Sequence, residues 1–336
     1  MPSVVESLNH ISENWAELMS AVLWQSTLLV GVVAVIAILL GRSSPVVRYW
    51  LWQIVAIKLL LMPFWSVAIP MPSFFETEHE TETITLNEPA IPVIPVDDFP
   101  PEETDAGPAV NLITDALPAA SVTPPWYLNI TWQSWLLWAW MIVVLAQIIR
   151  VVWLRIRLAG LLRTAVPATG ELATLMQDSV KLLGLQRVPQ VVLTEIECSP
   201  FVCGIVRPVV VLPKSLTSSF DPKRMQQVLL HELAHVKRLD LLWGWIPEIA
   251  RIIYFFHPFV HWVSYRIRLE RELSCDQLAM AHSGQNAADY ADTLVQVVSH
   301  TSEPAMLKTA AATSAGLDGN ESATKKKHKS IEEQLP

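Results

Sequence analysis

The longest apolar runs lie in the first half of the chain and predict membrane-spanning helices. Leu18 to Leu40 carries no charged residue and is long enough to cross ~30 Å of hydrocarbon. Tyr49 to Ile69 is a second apolar run, interrupted by Lys58, and Trp132 to Ile149 is a third run without charge. We therefore expect three transmembrane helices, at residues 18–40, 49–69 and 132–153.

The basic residues predict how these helices are oriented. No Lys or Arg occurs between Lys58 and Arg150, whereas arginines follow the first and the third apolar runs. Because basic residues favour the cytoplasmic side, we expect residues 1–17 outside and everything after the third helix in the cytoplasm. Residues 1–17 contain three Glu and no Lys or Arg, which favours a retained anchor over a cleaved signal peptide.

Two polar segments have no pattern that would bury a core. Residues 70–131 are rich in Pro, Glu, Asp and Thr, and predict a disordered acidic extracytoplasmic loop, either a spacer or a sensor. Residues 301–336 predict a flexible basic tail, which either contacts anionic lipid heads or is simply solvated. The Ser-x-x-Lys string Ser322–Lys325 lies in this tail, with no domain around it, and we interpret it as chance.

The region after Leu158 mixes helical and strand patterns. Glu171 to Leu183 has helical spacing and is followed by Gly184 at a C-cap position. Three β-branched runs predict a small sheet, at residues 188–194, 201–206 and 209–212. A free edge of that sheet would let an extended substrate add a strand. Residues 241–265 are apolar but hold charges and two prolines, which predicts a membrane-lying or re-entrant segment.

The composition indicates a membrane protein whose cysteines are reduced thiols. Hydrophobic residues make up 51% of the 336-residue chain, charged residues only 17%, and there are 14 Trp. The net charge of −8 comes from unevenly placed acidic residues, so it does not identify a cationic partner. The three cysteines are too few for a disulfide framework, and all three fall in the predicted cytoplasmic part.

The chemistry is concentrated in the sequence HELAH, residues 231–235. Asp221 and Pro222 predict the start of a helix, and His231 and His235 then lie on one face of it, four residues apart. Two imidazoles at this spacing can bind one zinc ion, and Glu232 can act as the general base.

A catalytic zinc requires a third protein ligand and one open position. Glu272 and Asp276 lie one helical turn apart downstream, so Glu272 can complete the ligand set while Asp276 orients a histidine.

Two other residue pairs have a similar spacing but no accompanying third ligand. Cys198 and Cys203 fall in a strand-like region, which suggests buried small residues, and His257 and His261 have no carboxylate in HExxH register.

These motifs resemble a known family. HELAHVKRLD, FHPFVHW, RLERELSCD and the upstream SPFVCGIVRPVVVLP are similar to segments of the BlaR/MecR-type membrane metallopeptidases, from about Ser20 to about His300. The resemblance implies that His231, His235 and Glu272 bind a single catalytic Zn²⁺, and that Glu232 is catalytic. It also implies that Asp276 and Asp240 support the site. It implies an α+β membrane protein, in which transmembrane helices precede a mainly helical, gluzincin-type peptidase domain with a small β-sheet, at residues 158–300.

The resemblance implies a regulatory endopeptidase with its active site at the cytoplasmic face of the cell membrane. Its expected partners are the lipid bilayer and a protein substrate, such as a winged-helix transcriptional repressor, with no direct binding to nucleic acid. The beta-lactam transducers of the family carry a penicillin-binding sensor after the peptidase. The polar residues 301–336 do not predict such a domain, so we do not expect beta-lactam sensing by this chain. Two alternatives remain open, namely a quality-control or processing peptidase of the HtpX or CAAX type and a non-catalytic signalling scaffold.

Overall fold

The structure is a computed structural model that describes residues 2–64 and 129–300. Three predicted segments lie outside the described residues: nearly all of the acidic loop, the end of the second span, and the basic tail with its Ser-x-x-Lys string. Helices dominate the described part. They are α1 (Pro2–Leu39), α2 (Pro45–Leu61), α3 (Trp132–Thr164), α4 (Glu171–Leu183), α5 (Lys214–Ser219), α6 (Pro222–Lys237), α7 (Asp240–Trp243), α8 (Trp245–Ile253), α9 (Pro258–Ser283) and α10 (Ala287–His300).

Two of these helices are long and apolar enough to cross a membrane, α1 over Val4–Leu39 and α3 over Trp132–Thr164. Each extends beyond the apolar run that predicts it. Helix α2, with 17 residues, begins at Pro45 before the second predicted span and covers that span as far as Leu61. A 3₁₀ turn at Met62–Phe64 follows it. The number of spans and their orientation therefore stay predictions.

The predicted small sheet is present, with four strands in the order β1-β2-β4-β3. Strands β2 (Gln190–Thr194), β3 (Phe201–Cys203) and β4 (Val209–Pro213) confirm the three β-branched runs, although the first two are shorter than the patterns suggest. The sequence does not predict the two-residue strand β1 (Val166–Pro167). Strands β2 and β4 are parallel, and β1 and β3 are antiparallel edge strands. All three residues of the edge strand β3 are buried, whereas both residues of the opposite edge strand β1 are exposed. Addition of a substrate strand at a sheet edge stays a prediction.

Both faces of the sheet are covered, which explains its nearly continuous β-branched sequence. Val210 and Leu212 face the core formed with α4, α6 and α10, whereas Val211 faces a second cluster that includes Leu158 from the end of α3. Alternate residues of β4 thus point to opposite sides, as the pleat requires. The last turns of α3 therefore pack on the face of the sheet opposite α6, the helix that carries HELAH.

Helix α9 joins two separate cores. Its first half contributes Val260, Val263 and Ile267 to a cluster with α1, α2 and α8. Its second half contributes Ala279 to the core of α4, α6 and the sheet. The segment predicted to lie in the membrane, residues 241–265, forms α7, α8 and the beginning of α9, with a break at residues 254–257 before α9. Its position relative to a bilayer stays a prediction.

The helix that carries HELAH begins as the sequence predicts. Asp221 is the N-cap of α6, and its Oδ1 accepts a hydrogen bond from the backbone N–H of Arg224 at 3.0 Å. Pro222 occupies the first helical position, where no N–H is needed. Val228, Leu229 and Leu233 then bury one face of the helix. The opposite part of the surface is left for the histidines.

We predict that Asp221→Ala loosens the first turn of α6, because it leaves the Arg224 amide without its partner. The loss of an N-cap costs about 1 kcal/mol, or roughly fivefold faster amide exchange in that turn. Hydrogen–deuterium exchange of peptides covering residues 221–228 checks this. Asp221→Asn keeps the accepting oxygen and should exchange like the wild type, and equal rates in all three proteins would contradict the capping role.

Candidate metal centre

Helix α6 presents the two histidines of HELAH side by side. Because they are four residues apart, His231 and His235 fall on the same face, with ring centroids 5.2 Å apart and ring planes inclined by 81°. Their side chains are only 12% and 13% exposed. Buried apolar residues fill the other side of the helix, so the rings face α9.

Helix α9 brings Glu272 to these rings from a distant part of the sequence. Glu272 Oε2 lies 3.6 Å from His231 Nε2, and Oε1 lies 3.9 Å from His235 Nε2. One ligand atom from each residue lies within 4.8 Å of the other two. The structure therefore brings together the three residues that the sequence selects as metal ligands.

The Nδ1 atom of His231, on the other side of the ring from Nε2, contacts a buried carboxylate. His231 Nδ1 lies 2.9 Å from Asp276 Oδ1, one helical turn beyond Glu272 on α9. The hydroxyl of Tyr290 donates to the same Oδ1 at 2.9 Å and lies 3.2 Å from His231 Nδ1. Because a carboxylate only accepts, this contact favours the tautomer of His231 with its proton on Nδ1, in which the Nε2 lone pair is on the side of Glu272.

His235 has a matching partner in Asp240, whose Oδ2 lies 3.0 Å from His235 Nδ1. This contact depends on the backbone after α6. Leu239 adopts a left-handed conformation, with φ of 58°, which is unusual for a residue with a side chain of this size. The turn begins α7 at Asp240 and directs that carboxylate back to the histidine. Arg238 Nε also approaches Asp240 Oδ2, at 3.4 Å.

Charges around Asp240 favour its ionised form. Burial alone would raise the pKa of this carboxyl, but the hydrogen bond and charge of His235, together with Arg271 and Arg238, lower the net pKa below its usual value. Burial and the nearby Asp276 raise the pKa of Tyr290 well above its usual value, so its hydroxyl remains a proton donor. These directions agree with the hydrogen bonds above.

A second group of donors shares His235 with the first. Asp240, Cys275 and His235 Nδ1 also lie within 4.8 Å of one another, and Cys275 Sγ is 3.3 Å from both the imidazole and the carboxylate. Burial, together with Asp240 and Glu272, raises the pKa of Cys275 well above its usual value. Cys275 and Asp240 are also both buried, and this group uses the His235 nitrogen that already contacts Asp240, whereas a catalytic zinc needs an accessible fourth position. The group around Glu272 is therefore the better candidate for the metal.

The donor set of the first group fits zinc. Two imidazole nitrogens and one carboxylate leave a fourth position free, which is the arrangement of catalytic zinc sites. Each imidazole is also oriented by a carboxylate on its other nitrogen, as metal-binding histidines generally are. Glu232, the predicted general base, is next to His231 on α6 and is 7% exposed.

Sequence reasoning missed Tyr290, Cys275 and Arg238 as parts of the site. Cys275 has the small buried side chain that the sequence suggests, but it also contacts His235. Tyr290 comes from α10, which no pattern in the sequence links to the motif. Among the described residues, only the contacts between α9, α10 and α6 identify it.

The similar-looking pairs have other contacts. His257 Nε2 lies 2.6 Å from Ser26 Oγ on α1, whereas His261 Nε2 lies 2.8 Å from the carbonyl oxygen of Phe255. Cys198 and Cys203 are buried cysteines in the hydrophobic cluster behind the sheet. Lys58 is exposed on α2.

Comparisons with known proteins agree with these features. A family model described as BlaR1 peptidase M56 matches residues 16–325. The chain is 42% identical over 78 residues to the regulatory protein BlaR1 of Bacillus licheniformis, a match covering 23% of this chain and 13% of that protein. It is 30% identical over 101 residues to the regulatory protein BlaR1 of Staphylococcus aureus, covering 30% and 17%.

A methicillin resistance mecR1 protein of Staphylococcus aureus (strain Mu50 / ATCC 700699) is 29% identical over 79 residues, a match covering 24% of this chain and 14% of that protein. The matched segments thus span less than a fifth of these relatives. Together with the two candidate spans, the matches support a membrane protein. Because the family model covers most of the chain, the protein belongs to the BlaR1 peptidase M56 family.

Proposed function

We propose that this protein is a membrane-embedded zinc endopeptidase with its active site at the cytoplasmic face. The observation that carries the proposal is the convergence of three ligand atoms, from His231, His235 and Glu272, within 4.8 Å. The carboxylates of Asp276 and Asp240, which lie 2.9 Å and 3.0 Å from the Nδ1 atoms of His231 and His235, support it, because a proton on each Nδ1 leaves each Nε2 free to bind a metal.

In this mechanism His231, His235 and Glu272 would hold the zinc ion. When bound, zinc supplies a positive charge that polarises a peptide carbonyl and lowers the pKa of a water molecule to about 7. Glu232 accepts a proton from the attacking water and returns it to the leaving amine. Asp276 and Asp240 keep both imidazoles in the required tautomer and orientation throughout.

Charge distribution supports the cytoplasmic location. Arginines follow the first apolar run at Arg42 and Arg48 and the third from Arg150 onwards, which favours a cytoplasmic location for the peptidase region. The substrate is then a cytosolic or membrane protein. The name of one group of relatives, regulatory protein BlaR1, favours a regulatory substrate, and the family resemblance suggests a winged-helix repressor.

The first prediction concerns the general base. Glu232→Gln keeps the metal ligands but cannot accept the proton, so we expect zinc content to persist while cleavage falls by roughly 10²- to 10⁴-fold. Cells that express wild type, Glu232→Gln or the exposed control Glu171→Gln are compared by quantitative proteomics, with zinc measured in the purified proteins. One protein should be intact only in the Glu232→Gln cells.

Other outcomes of this comparison separate the alternatives. Many stabilised membrane proteins in the Glu232→Gln cells would favour a quality-control peptidase. Identical protein profiles for wild type and Glu232→Gln would contradict proteolysis and favour a signalling scaffold.

The second prediction concerns the third ligand. Glu272→Ala removes the only carboxylate that approaches both Nε2 atoms among the described residues, so the two histidines alone should not retain zinc through purification. Elemental analysis of purified protein should give about one zinc per chain for the wild type and for Glu171→Ala, and far less for Glu272→Ala. A full zinc content in Glu272→Ala would assign the third ligand elsewhere.

The third prediction concerns Tyr290. Tyr290→Phe keeps the buried ring but removes the hydroxyl that contacts Asp276 and His231. Loss of such an outer partner typically weakens metal binding at least tenfold. Chelator competition measures the zinc dissociation constant, with the partly buried Tyr265→Phe as the control. An unchanged constant in Tyr290→Phe would show that the hydroxyl does not orient His231.

A further inference from the structure

A buried carboxylate on α9 lies between two guanidinium groups. Glu270 is 1% exposed, and its Oε2 accepts from Arg48 Nε at 2.9 Å. Its Oε1 accepts from Arg266 Nη2, also at 2.9 Å and one turn earlier on α9. Both oxygens of Glu270 are therefore satisfied, as a carboxylate at this depth requires.

Arg48 connects this carboxylate to the turn between α1 and α2. Its Nη1 donates to the carbonyl oxygens of Gly41 at 3.0 Å and Ser43 at 2.8 Å, at the end of α1. The Arg48 side chain is 11% exposed. One rigid, planar guanidinium thus binds the α1–α2 turn with one nitrogen and α9 with another, a geometry that a lysine cannot reproduce.

Glu270 and Glu272 face opposite directions from α9. Residues two apart on an α-helix are separated by about 200° around its axis. Glu270 accordingly contacts α2, whereas Glu272 faces the histidines of α6. A rotation of α9 about its axis would move both carboxylates, and the Arg48 contact opposes that rotation.

We propose that Arg48 is a positioning residue, which acts through Glu270 to hold Glu272 at the metal ligands. The inference rests on the proposed zinc site, and it adds that the α1–α2 turn sets the position of the third ligand. A displacement of that turn relative to α9 then changes the zinc site without any contact to the metal. The α2 residue Trp52, which packs in the same cluster as Ile267, stabilises the same interface.

The test uses the full-length protein purified in detergent. The variants are Arg48→Gln, Glu270→Gln, the double variant and Arg42→Gln, which removes an exposed arginine from the same turn and serves as the matched control. Zinc affinity is measured by chelator competition, and the absorption spectrum of the Co²⁺-substituted protein reports the ligand set. Hydrogen–deuterium exchange of residues 268–276 and of α4 is measured in the metal-free proteins.

We expect Arg48→Gln and Glu270→Gln each to weaken zinc binding about tenfold and to change the Co²⁺ spectrum. The double variant should bind zinc no more weakly than Glu270→Gln alone, because Arg48 acts on the site through Glu270. Exchange should rise in residues 268–276 and not in α4. Arg42→Gln should match the wild type. If Arg48→Gln fails to fold, Arg48→Lys keeps the charge and should give an intermediate loss of affinity.

Unchanged zinc affinity and Co²⁺ spectrum in Arg48→Gln would overturn the inference, as would an equal rise of exchange in α4, which indicates a general loss of stability. A wild-type protein that binds no zinc would refute the proposed function instead. In that case hydrogen–deuterium exchange of residues 268–276 is the test of the positioning role. A local rise of exchange in Arg48→Gln supports that role, and no rise overturns it.

Discussion

The packing of α9 against α6 is the constraint on which the site depends. Helix α6 alone supplies two imidazoles on one face, and α9 alone supplies two carboxylates one turn apart. Only their contact places Glu272 beside both Nε2 atoms and Asp276 beside His231 Nδ1. One helix thus provides both a predicted ligand and the group that orients another ligand, so a small shift of α9 would disturb two functions together.

The second histidine is oriented by local backbone geometry. Asp240 lies five residues after His235, and the left-handed conformation of Leu239 turns it back to the ring. The two histidines therefore depend on different features of the fold. His231 depends on α9 and α10, whereas His235 depends mainly on the turn after α6. The packing of α9 in two cores further connects the site to the long apolar helices.

Much of this could be predicted from the sequence because it is encoded locally. The N-cap at Asp221, the helix end at Gly184 and the three β-branched strands follow from short-range preferences that the structure confirms. The HELAH spacing likewise fixes which side chains share a helical face. Tyr290 and Arg48 could not be found in this way, because each contacts the site region across more than fifty residues of sequence. The burial of β3 at one edge of the sheet and the presence of β1 at the other also depend on packing between distant parts of the sequence.

Zinc-edge X-ray absorption of the purified full-length protein tests the central claim most directly, because it reports which atoms bind the metal. We expect one zinc per chain with two imidazole nitrogens at roughly 2.0–2.1 Å and otherwise oxygen ligands, from Glu272 and water. A sulfur at about 2.3 Å would instead place the metal at Cys275 with His235 and Asp240. That result, or a protein that binds no zinc, would contradict the proposed active site.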